Sequence, residues 1–119
     1  MKYNAALFLL LSTVLWTGCV QKTKLNKVKY LVNVYGLKNI EKVGVRGSDN
    51  PLSWDADLDL KPIVKDSMYA VEVIYNTGYN VTEVKFTVNG IFELQNQDNR
   101  IIRFSESGRT EARFVFDRP

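Results

Sequence analysis

The chain has 119 residues with 16 basic and 13 acidic side chains and no histidine, a length that suits one domain. The lack of histidine excludes Ser-His-Asp and Cys-His nucleophile arrangements and zinc sites built on imidazole. A net charge of +3, with the signs interspersed along most of the chain, is too small to support nucleic-acid binding.

Lys2 is the only charge before Lys22, and residues 5–16 form an apolar run broken only by Ser12 and Thr13. A short positive start, an apolar stretch and small residues at its end predict a secretory signal over residues 1–18. The run is short for a membrane-spanning helix, which needs ~20 apolar residues. The segment Leu15-Trp16-Thr17-Gly18-Cys19 resembles a bacterial lipobox, with Trp16 where leucine is usual. That resemblance implies lipidation of Cys19, which becomes the new N-terminus. The alternative is a plain signal peptide with Cys19 an incidental thiol. A lone cysteine, however, forms no intramolecular disulfide, and a free thiol suits an exported protein poorly. Removing residues 1–18 leaves 101 residues with a net charge of +2. Lys22, Lys24 and Lys27 make residues 19–27 a solvated tether or a contact with anionic headgroups. The expected location is the cell envelope, lipid-anchored to a bacterial membrane on its periplasmic or outer side.

From Val28 onward the pattern is of short strands. Residues 28–35 are rich in β-branched and aromatic side chains and end at Gly36. Residues 43–46 form a second strand, followed by a turn-rich loop with Gly47, Asp49, Asn50 and Pro51 that also holds Trp54. Residues 57–60 alternate until Lys61-Pro62 interrupts them. Residues 69–75 and 81–88 are strong strands, and Asn89-Gly90 leads into residues 91–94 as a hairpin. Residues 101–104 and 110–116 complete the set. Eight strands in residues 28–119 predict an all-β fold, an antiparallel β-sandwich of the immunoglobulin-like type. An open barrel of the oligonucleotide-binding kind is the alternative topology.

Paired carboxylates are conceivable among Asp49, Asp55, Asp57 and Asp59, but acidic side chains in a turn and on one strand face are usually solvated. Asp55, Asp57 and Asp59 alternate along one strand face, a spacing that fits solvent exposure better than a calcium loop, which wants a glycine and carbonyl ligands. The expectation is therefore a non-enzyme without metal or cofactor, working by aromatic faces and hydrogen bonds. Two places collect such residues, the Trp54 loop and Lys85 with residues 92–100. Taken singly, Trp54 and Phe92 read more simply as packing residues, since an alternating strand turns one apolar face inward.

The order of the motifs points further. Val45-Arg-Gly-Ser, Pro51-Leu-Ser-Trp-Asp55, Val84-Lys-Phe86, Phe92-Glu93 and Asn99-Arg100 together resemble the starch-binding modules of family 20, over about residues 30–116. The resemblance implies a starch-type β-sandwich in which Trp54 stacks on a glucose ring while Lys85 and Asn99 bond sugar hydroxyls. It places Phe92 where the family has a second stacking tryptophan, and gives Glu93 and Arg100 structural positions. The implied ligand is a polysaccharide, an α-glucan. A lipoprotein that keeps the fold and binds a protein partner through its surface or sheet edges is the rival expectation.

Overall fold

The computed structural model describes residues 22–119. Cys19 and the predicted signal lie outside the described residues. Eight strands follow in chain order: β1 (Lys24–Asn33), β2 (Val43–Gly47), β3 (Leu58–Val64), β4 (Met68–Thr77), β5 (Val81–Val88), β6 (Ile91–Phe92), β7 (Arg100–Arg103) and β8 (Arg109–Val115). They pair in the order β6-β5-β2-β3-β4-β1-β8, with β7 also on β5. The result is one curled, mixed sheet, all-β and consistent with a β-sandwich.

The curl brings two halves face to face. Tyr30 of β1 meets Phe86 of β5 edge to face at 6.0 Å, Phe86 meets Phe114 of β8 at 5.9 Å, and Tyr75 of β4 meets Phe104 at 5.3 Å. Around these rings lie Val28, Val32, Val43, Val45, Val73, Val84 and Ile102, all buried. Alternation explains who faces in, since successive side chains of a strand point to opposite faces. At the heart of the core the hydroxyls of Tyr30 and Tyr75 bond each other at 2.7 Å. Burial raises both phenols, Tyr75 to about 12, because a phenolate there would be desolvated.

Three features differ from the sequence-based expectation. β1 starts at Lys24 and pairs with β4 from Lys24↔Thr77 onward. Residues 24–27, assigned to a tether by their lysines, are thus in the sheet, with Asn26 buried and Lys27 turned outward beside Glu72. Lys61-Pro62 does not end β3. The strand leaves β2 at Leu60 and pairs with β4 from Lys61, with Pro62 beside a register shift, a bulge that tolerates its missing N–H. The sheet is also not wholly antiparallel, since β1 and β8 run parallel from Lys27↔Arg109 to Asn33↔Val115. β8 crosses from the other half of the sheet, and such a crossing, unlike a hairpin, does not force an antiparallel neighbour.

The Asn89-Gly90 turn forms as expected, both residues at positive φ, 53° and 78°. The Asn89 side chain also accepts the Glu41 and Lys42 amides and donates to the Asn39 carbonyl, which ties the chain entering β2 to this hairpin.

Candidate functional site

β5 carries two partners in succession on one edge. β6 pairs with Thr87 and Val88, and β7 with residues 81–84. The Glu93 amide still donates to the Phe86 carbonyl at 3.0 Å, but residues 94–99 leave the sheet between these pairings, so the Phe86 amide has no strand partner on that edge of β5. Side chains repair the gap. The Phe86 amide donates to Glu93 Oε2 at 2.9 Å. Lys85 Nζ donates to the Leu94 and Gln97 carbonyls at 2.9 and 2.8 Å. Leu94 sits at φ 49°, a left-handed conformation costly for a branched side chain. Its amide donates to Asp117 Oδ1 while its carbonyl accepts Lys85, so both of its peptide groups are held.

Against this projecting loop lies the second loop, between β2 and β3. Its anchor is Leu52, which is buried in the core. Gly47 makes room for it: a Cβ there would lie 2.8 Å from the Glu83 carbonyl and 3.0 Å from Leu52 Cδ1. Because Leu52 serves as the anchor, Trp54 stays half-exposed. Its ring centroid is 6.3 Å from that of Phe92, the planes tilted by 56°.

Trp54, Lys85, Phe92 and Asn99, the four residues singled out from the sequence, line one open concavity of about 450 Å³ together with Gln95 and Asn96. That volume lies within the ~300–1,000 Å³ of small-ligand sites. Two aromatic faces and three side-chain amides converge there, and among the described residues no carboxylate lines it. Gln95 and Asn96 belong to the 92–100 run to which the sequence points, though neither carries a motif position of its own. Their signal was the amide-rich run after Leu94, which composition alone does not resolve into facing and non-facing residues. Lys85 differs from a freely offered ammonium, since two of its three N–H donors go to its own loop.

The aspartate expectation is corrected. Asp57 is not a solvated member of an acidic face, for its side chain is only 4 % exposed. Its Oδ1 accepts Arg46 Nε at 2.7 Å and Thr87 Oγ1 at 2.8 Å, and Lys42 Nζ lies 3.5 Å from Oδ2. Burial alone would raise this carboxyl, but the Arg46 and Thr87 bonds and the Arg46 and Lys42 charges outweigh it and hold it below its ordinary value. Gly44 is the reason Asp57 fits, since a Cβ there would stand 2.7 Å from the Asp57 side chain. Strand alternation could not reveal this, because the cations come from β2 and the chain before it.

Glu93 and Arg100 pair with each other inside the protein. A scan against protein-family models finds no match for this chain, and a search of curated proteins finds no significant relative.

Proposed function

We propose that this chain is a non-catalytic, lipid-anchored carbohydrate-binding domain with an immunoglobulin-like sandwich of the starch-binding type, taking an α-glucan outside the cytoplasm. The observation that supports it is the convergence of Trp54, Phe92, Lys85 and Asn99 on one concavity, from two loops and two strands. Sugar rings offer an apolar C–H face and a rim of hydroxyls, which suits aromatic planes flanked by amides. Two planes tilted by 56° suit a chain whose successive rings turn, as in an α-linked glucan, better than a flat ribbon. Cys19 carries the lipid, so Cys19→Ser releases the protein from the membrane fraction.

The test is a titration of amylose or a cyclic glucan into native protein and the Trp54→Ala variant, with melting curves for both. Loss of ~1–3 kcal/mol of binding with little change in melting supports a ligand platform.

A second reading, a lipoprotein that binds a protein partner, is favoured by one observation: Lys85 spends two donors on its own loop, leaving less for a sugar. Native protein that binds no glucan, with a Trp54→Ala variant that melts much earlier, selects this second reading.

A further inference from the structure

We infer that Arg46 is the positioning residue of the aromatic pair, fixing how Trp54 and Phe92 stand to each other. Its planar guanidinium makes three contacts at once. Nε donates to Asp57 Oδ1 at 2.7 Å, Nη1 donates to the Trp54 carbonyl at 3.0 Å, and Cζ lies 4.9 Å from the centre of the Phe92 ring. One group therefore holds the backbone that carries one ring and the face of the other. It is held in turn, because Asp57 is fixed by Thr87 and Lys42 over Gly44.

This task needs arginine. The guanidinium is flat enough to lie on a ring, within the ~6 Å of a cation–π contact, while its edge still donates in two directions. Lysine supplies the charge for Asp57 but neither the plane nor the fork. In the sheet Arg46 stands directly opposite Lys85, a like-charged neighbour that is unfavourable on an exposed sheet unless both are engaged elsewhere. Here both are engaged, Lys85 by the loop that carries Gln95 and Asn96 and Arg46 by the loop that carries Trp54. The two cations of one cross-strand pair thus brace the two walls of the concavity.

The part Arg46 plays in ligand binding rests on the saccharide assignment made above, whereas its part in ring geometry does not. Both are read in the full chain carrying Trp16→Phe, where Trp54 is the only indole. Arg46→Lys and Arg46→Met are compared with Arg46 by the near-ultraviolet circular dichroism of the indole band, by melting temperature and by cyclic-glucan titration. In Arg46→Lys the indole band collapses while the melting temperature stays close to that of the parent, and glucan affinity falls by roughly tenfold, about one charge-assisted hydrogen bond. If Arg46→Met fails to fold because Asp57 loses its partner, Arg46→Lys decides alone. An indole band unchanged in Arg46→Lys overturns the inference whatever the glucan result. A collapsed band in a protein whose Arg46 form binds no glucan supports the positioning role and overturns the saccharide assignment instead.

Discussion

Glu93 and Arg100 are joined inside the protein by two short bonds, Arg100 Nε to Glu93 Oε2 at 2.8 Å and Nη2 to Oε1 at 2.7 Å, with the carboxylate fully buried. The same carboxylate accepts the Phe86 and Asp117 amides, and Arg100 also donates to the Val115 and Arg118 carbonyls. Glu93 also donates its own amide to the Phe86 carbonyl, so its carboxylate completes the pairing of Phe86 where residues 94–99 leave the sheet, and the ion pair ties the C-terminal segment beneath that loop. Removing one partner of such a pair strands a buried charge. Arg100→Met is expected to cost ~3–5 kcal/mol in urea unfolding, and adding Glu93→Gln to recover part of that loss. A single variant as stable as the native chain would show that the pair does not hold the loop's base.

Phe86 lies between Tyr30 and Phe114, at the contact between the two halves of the sheet. Phe86→Ala is expected to cost ~3–5 kcal/mol, measured by thermal or denaturant unfolding. An unchanged melting curve would mean that this contact contributes nothing to holding the halves together.

Lys85→Met removes both bonds to the Leu94 and Gln97 carbonyls. Amide exchange in residues 94–99 is expected to accelerate while β1 and β4 keep their protection, since the Lys85 bonds tie two carbonyls of this loop to β5. Hydrogen exchange read by mass spectrometry or NMR checks it, and equal rates in both proteins would remove the brace assigned to Lys85.

Asp57 is held below its ordinary value of 3.8 in the fold. A carboxyl depressed in the native state stabilises fully above its unfolded pKa, and that contribution is lost as pH falls through 3.8 toward the folded value. The stability gap between native protein and Asp57→Asn is therefore expected to be constant from neutral pH down to about pH 5 and to shrink below pH 4. Urea unfolding at several pH values measures this gap, and a gap that widens on acidification contradicts the ion-pair account.

At the alkaline end the direction reverses. Tyr75 is raised from 10.0 to about 12, and Tyr30 is raised as well, mainly by burial. Their contribution is whole below pH 10 and is lost as pH rises from 10 toward 12, where the unfolded chain ionises first. The phenolate absorbance of these two tyrosines is expected to appear together with loss of the β-sheet circular dichroism. Comparison with the Tyr30→Phe/Tyr75→Phe chain isolates it, and ionisation well ahead of unfolding would place the two rings in water.

The sequence by itself marked where most of the strands lie, though not their ends. Residues 81–88 alternate plainly, and Val84 and Phe86, which share one face by that alternation, are both buried. Asn89-Gly90 specified its hairpin because both residues accept positive φ at little cost. These signals are local, carried by a period of two and by backbone sterics, and need no partner strand to be legible. Trp54, Lys85, Phe92 and Asn99 could be grouped from motif order, while their meeting in one concavity depends on the pairing of β6 with β5 and on the loops that carry Trp54 and Asn99.

Other outcomes depended on which strands became neighbours. Asp57 was indistinguishable from Asp55 and Asp59 until the register placed Arg46, Lys42 and Thr87 around it. Lys24 and Lys27 looked like a tether because their charge outweighs their alternation, yet β4 offers a complete ladder to pair with them. Arg46 was one letter of a motif until β2 set it opposite Lys85 and under Phe92. A charge is stabilised by what surrounds it in space, and for each of these residues the decisive neighbours are eight to more than fifty positions away in the chain. Only the register and curl of the finished sheet bring them within bonding distance.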